Sequence, residues 1–151
     1  MKCKKMIALL LLITSVLMLV AGCQERKVDY SLRQGQDNIE KVEICTYDDL
    51  TKTRTPIKEL AESEYQQLIT EFLEMSCVQY SPGDHPRDYG SILFCIYYND
   101  REIEVIGQTN IGWISTDGTW HLTKNTFDWA EMKALIQRYV PEEYQPEWVS
   151  P

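Results

Sequence analysis

The chain has 151 residues, with 15 lysines and arginines against 23 aspartates and glutamates, a formal charge of −8. That length suits one domain of ordinary size. The acidic balance argues against nucleic-acid binding, which draws its affinity from basic side chains neutralising phosphates.

The first 22 residues differ from the rest. Lys2, Lys4 and Lys5 precede the run MIALLLLITSVLMLV, a positive region followed by an apolar one, as in a secretory signal. A membrane-spanning helix is the rival reading. Met6–Gly22 supplies only 17 uncharged residues, the lower limit for a span, and Thr14 and Ser15 interrupt it. The run ends in Leu19-Val20-Ala21-Gly22-Cys23. Directly after such an apolar region, this pentapeptide resembles the lipobox of bacterial lipoproteins.

The resemblance implies removal of residues 1–22 and attachment of fatty acyl chains, such as palmitate, at Cys23. It also implies a cell-membrane location with the domain on the extracytoplasmic side. Residues 23–151 would then carry 12 basic and 23 acidic side chains, about −11, because the three signal lysines are gone. Membrane contact is expected from the acyl chains rather than from docking on anionic headgroups; two or more chains anchor stably where one is marginal.

Gln24–Asp37 is polar and without periodicity, so residues 23–37 read as a flexible tether. Order is expected over 38–140, a single α+β domain. In IEKVEICTY, Val42 and Ile44 alternate with Lys41 and Glu43, a strand pattern, with a short second strand near Thr55–Glu59. SEYQQLITEFLEM predicts a helix over 63–75, with Ser63 and Gln66 in a capping box. SPGDHPRDYG is rich in breakers and predicts a loop. SILFCIYY, REIEVIG, IGWIS and TWHLT then form a four-strand antiparallel meander over about 91–123, with Asn99-Asp100 and Asp117-Gly118 as turns. FDWAEMKALIQRYV predicts a second helix, capped by Asn125 or Thr126 and ended by Pro141. The order points to an antiparallel sheet, made of the meander plus an N-terminal strand or hairpin, with both helices packed on one face. Residues 141–151 hold three prolines and read as an irregular tail, although Trp148 could fold back.

Three cysteines remain beside Cys23: Cys45, Cys77 and Cys95. An extracytoplasmic compartment permits one disulfide, with Cys77–Cys95 and Cys45–Cys95 as the two pairings considered. Three buried thiols are the competing reading. Asp84, His85 and Asp88 share the breaker-rich loop and could hold a cation or move a proton, but the same residues suit any solvated turn. No phosphate loop, nucleophile elbow, paired-cysteine zinc pattern or HExxH occurs, so neither a metal nor a cofactor is expected.

The aromatic content offers more. Ile92, Phe94, Ile96 and Tyr98 would face one side of their strand, and Leu93, Cys95 and Tyr97 the other. Tyr89 and Trp113 could join Leu93 and Tyr97, depending on register. Such a face suits a protein or peptide partner, since Tyr and Trp dominate binding hot spots; burial in the core is the alternative. The expected function is a lipid-anchored, non-catalytic binding or accessory module. An enzyme or metal-dependent protein using Asp84, His85 and Asp88, and a small-ligand carrier, are the alternatives.

Overall fold

The computed structural model describes residues 26–79 and 90–149. Strand β1 (Arg26–Asp29) is followed by β2 (Ile39–Asp48), β3 (Thr53–Glu59), helix α1 (Glu62–Glu74), β4 (Ser76–Gln79), β5 (Ile92–Tyr98), β6 (Ile103–Gly107), β7 (Ile111–Ile114), β8 (Trp120–Leu122), β9 (Asn125–Phe127) and helix α2 (Trp129–Tyr139). The fold is α+β, with two antiparallel sheets. The larger runs β3-β2-β5-β6-β7-β8, so the meander β5–β8 is extended by the hairpin β2–β3. The smaller runs β1-β4-β9.

Both helices cover the same face of the larger sheet. Val42, Ile44, Phe94 and Ile96 from that face share one core with Leu68, Ile69 and Phe72 of α1 and Met132, Leu135 and Ile136 of α2. Phe72 lies at its centre, edge-on to Phe94 at 5.6 Å and stacked on Phe127 at 5.4 Å. Helical spacing in α1 and period-two spacing in β2 and β5 bring these side chains to one interface.

The helix starts differ from the expected ones. Helix α1 is capped at Ala61, not Ser63: the Ala61 N–H donates to the Glu64 carboxylate at 3.0 Å. The preceding Leu60 is buried and its N–H bonds the Val42 carbonyl, which fixes where the strand stops. Helix α2 is capped by Asp128, whose carboxylate accepts from the N–H groups of Ala130 and Glu131 at 2.9 and 3.2 Å. Asn125 and Thr126, the expected caps, lie instead in β9.

The smaller sheet corrects the expected boundaries. The segment read as a tether over 23–37 contains β1, which pairs with β4 from Arg26↔Gln79 to Asp29↔Ser76. Tyr30 is buried beside it and packs edge-on to Phe127 at 4.9 Å. Order therefore begins at least twelve positions before Asn38. The tail is also less irregular than expected. It forms two short 3-10 turns, buries Val149, and packs Trp148 at a tilt against Trp129, with ring centroids 4.4 Å apart.

The larger sheet curls strongly. Tyr47 on β2 and Trp120 on β8 are four strand steps apart, which would be roughly 19 Å in a flat sheet at about 4.8 Å per step. Their rings lie 5.6 Å apart, and the Arg54 guanidinium from β3 reaches 5.7 Å from the same Trp120 ring. The face away from the helices thus closes on itself as a half-barrel. Its concave side holds a second small core of Cys45, Tyr47, Leu93, Cys95, Val105 and Ile114.

Candidate functional site

That curl decides the expected binding face. Leu93 and Cys95 are fully buried in the second core, and Tyr97 is half-buried at its margin. Trp113 does not join them. It pairs with Glu104 and His121 across the strands and lies on the opposite, helix-side face. Tyr89, like Asp84, His85 and Asp88, lies outside the described residues. The three described positions do not share one docking surface: Leu93 and Tyr97 belong to an inner core, while Trp113 belongs to a cleft.

The cleft lies where the two helices leave the helix-side face uncovered, over β6–β8. The N-terminal arm, residues 29–34, lies across it. Glu104, inward-facing on β6, is 4% exposed. One carboxylate oxygen accepts from the Tyr30 hydroxyl at 2.8 Å. The other accepts from the Tyr98 hydroxyl at 2.6 Å and the Arg33 N–H at 3.0 Å. Burial pushes the Glu104 carboxyl above the usual range, against the pull of these three donors. Burial and the carboxylate together push both phenols upward.

Arg33 completes the arm's attachment. Its guanidinium grips Glu102 through two bonds of 2.6 and 3.0 Å and lies 4.2 Å over the Trp113 ring. Trp113 stacks in turn on His121 at 4.7 Å and 13°. Gln34 donates to Asp100 at 2.6 Å. Beneath the arm remains a cavity of about 310 Å³, bordered by Tyr30, Arg33, Glu104, Trp113, Thr123 and Asn125. That volume is at the lower end for small-ligand sites. The arm supplies a cation and a phenol, the sheet a carboxylate and an indole. A group in the cavity would meet the Arg33–Trp113 stack together with Thr123 and Asn125.

The thiols form a separate cluster. Cys77 on β4 lies in the main core, whereas Cys95 lies in the second core on the far face of β5, so the first of the two pairings, Cys77–Cys95, does not form. Cys45 and Cys95 lie together in the second core. Register places Cys45 opposite Leu93 and Cys95 opposite Glu43, which makes the cysteines diagonal neighbours. Diagonal positions are separated by roughly 7–8 Å, beyond the roughly 4.4–6.8 Å between Cα atoms that a disulfide spans. All three cysteines are free thiols. The Cys45 thiol and the Arg54 guanidinium, 3.7 Å from the sulfur, hold Cys95 below its ordinary range. In turn Cys95 pushes Cys45 upward, and burial pushes Cys77 up to about 11.

Sequence reasoning missed Tyr30, Arg33 and Glu104. Two signals were available. Val28, Tyr30 and Leu32 alternate inside an otherwise polar stretch, and Glu104 alternates with Ile103 and Val105 so as to share the inner face with Ile106. Neither signal names its partner. Among the described residues, no group of three or more histidines, cysteines and carboxylates could hold a metal ion, and no helix is long and apolar enough to cross a membrane. No protein-family model, curated protein or solved structure matches the chain.

Proposed function

We propose that this chain is an extracytoplasmic lipoprotein, acylated at Cys23, and that its domain is a non-catalytic binding or accessory module. The cleft around Trp113 is its recognition site. The observation that carries the reading is the arm itself: the segment leading from the Cys23 signal is the one that lies over Trp113 and bonds Glu104. A partner engaging the cleft would therefore engage the anchored end of the domain. Anchoring would also raise the domain's local concentration near membrane partners.

Crosslinking in native membranes, followed by partner identification, tests the recognition site. A Trp113→Ala, Arg33→Ala variant that folds should lose the principal crosslinked species of the wild type. An unchanged set of crosslinked species would remove the cleft from the account. Metabolic labelling with a fatty-acid analogue tests the anchor: labelling should vanish in Cys23→Ala, and labelling at the wild-type level would overturn it.

The cavity favours one second reading, a small polar ligand rather than a protein. Native mass spectrometry of protein taken directly from membranes separates the two. A bound species of a few hundred daltons or less, lost in Trp113→Ala, would support the ligand.

A further inference from the structure

Overall acidity argues against contact with anionic headgroups, but the smaller sheet is not uniformly acidic. Register places Arg26, Gln79 and Asn125 in one row across β1, β4 and β9, and Asp29 with Ser76 in the row at the opposite end. Lys27 is next to the first row on β1 and Lys124 is next to it on the approach to β9; both lysines are exposed. The second row is negative. Asp29 is exposed there, the Ser76 N–H donates to the Glu131 carboxylate at 3.1 Å, and the Asp128 N–H donates to the Ser76 carbonyl at 3.3 Å. Glu74 closes α1 two positions earlier. The charge thus reverses along β1, over roughly 10 Å at about 3.3 Å per residue.

The basic end is the end that leads back to Cys23. Arg26 is three positions after Cys23, and three residues span at most roughly 11 Å at about 3.6 Å each. An acyl-bearing Cys23 would sit at the headgroup level. Whatever path residues 24 and 25 take, the start of β1 then lies within reach of the phosphates.

We infer that the end of the smaller sheet that carries Lys27 and Lys124 is a membrane-contact surface that rests on anionic phospholipid headgroups. The carboxylate end at Asp29, Asp128 and Glu131 points away from them. This rests on the lipoprotein reading. The acyl chains supply attachment, and the charge reversal supplies orientation, because juxtamembrane cations are attracted to an anionic surface and carboxylates are repelled. The effect is screened by salt beyond about 10 Å at 0.1 M.

The test uses the full acylated protein in vesicles of pure phosphatidylcholine or of phosphatidylcholine with phosphatidylglycerol. Lysines are labelled with a membrane-impermeant amine reagent and read by mass spectrometry, with Lys52 on the β2–β3 turn as the reference. Labelling of Lys27 and Lys124 should slow severalfold relative to Lys52 in phosphatidylglycerol vesicles. The protection should weaken in high salt, and that of Lys27 should weaken in the Lys124→Glu variant. Equal protection in both kinds of vesicle, or none, with Cys23 acylated in the same sample, overturns the surface and leaves the anchor standing. A Cys23 without acyl groups overturns both.

Discussion

The Tyr30 hydroxyl donates a 2.8 Å hydrogen bond to the Glu104 carboxylate, joining residues 74 positions apart in the chain. Both partners are buried. Replacing Tyr30 by Phe leaves one carboxylate oxygen desolvated and short of a donor. Bonds to charged groups contribute about 1.5–3 kcal/mol, and we expect a loss of that size for Tyr30→Phe in urea unfolding. Limited proteolysis should also cut the arm between residues 30 and 38 earlier than in the wild type. A variant as stable and as resistant as wild type would show that the Tyr30–Glu104 bond does not hold the arm.

Two carboxylates that receive the arm titrate in opposite directions. Burial raises the Glu104 carboxyl in the folded state, so the folded protein binds the more protons. Its contribution is therefore fully present below the ordinary carboxyl range and is lost as pH rises through the raised value. Hydrogen bonds from Arg33 lower Glu102, whose contribution is present above the ordinary range and is lost as pH falls through the lowered value. In Glu104→Gln the fall in stability above pH ~4.5 should flatten. In Glu102→Gln the fall in stability on the acid side should flatten instead. Parallel pH profiles for both variants and the wild type would refute the assignment.

Cys95 and Cys77 are equally buried but differently placed. Arg54 and Cys45 favour the Cys95 thiolate, whereas burial disfavours that of Cys77. Alkylation by iodoacetamide, followed by mass spectrometry across pH, should modify Cys95 at lower pH than Cys77. Arg54→Met should move the Cys95 profile to higher pH and leave Cys77 in place. Earlier modification of Cys77 would contradict the role given to Arg54.

Phe72 packs against the rings of Tyr30, Phe94 and Phe127 at the centre of the main core, with no exposure. Phe72→Ala removes those contacts and leaves a cavity, and losses of about 3–5 kcal/mol are usual for such a change. Leu50, 96% exposed on the β2–β3 turn, provides the contrast. Leu50→Ala should stay within about 0.5 kcal/mol. Urea unfolding of the two variants beside the wild type measures both.

Asp128 shows how a cap can be misplaced from sequence. Asn125, Thr126 and Asp128 are all good capping residues, and the strand pairing of β4 with β9 takes the first two. Asp128→Ala should cost about 1 kcal/mol of stability, read as a lower thermal midpoint, while Thr126→Ala should leave the start of α2 unchanged.

The larger sheet and both helices were legible because their signals are local. Val42 and Ile44, or Leu68, Ile69 and Phe72, mark an inward face at a fixed spacing, and any partner of the right shape satisfies them. The smaller sheet was not legible. Its strands have three or four residues, too few for alternation to stand out, and β1 is mostly charged. The Trp113 cleft was half legible. The sequence marked Trp113 as a contact residue, but whether it shared a face with Tyr97 depended on the β6–β7 register, and that register put them on opposite faces.

By itself the sequence determined the α+β order, the inward-facing residues of β2, β5 and the two helices, and the acidic balance, because each follows from composition or from a period of 2 or 3.6 residues. Only the tertiary structure decided that Glu104 would hold Tyr30, that Cys95 would meet Cys45 and Arg54 rather than Cys77, and that Trp120 would close over Tyr47. Those pairings depend on strand register and on the curl of the sheet. Both are set by the simultaneous packing of residues distant in the chain, and no local pattern specifies that packing.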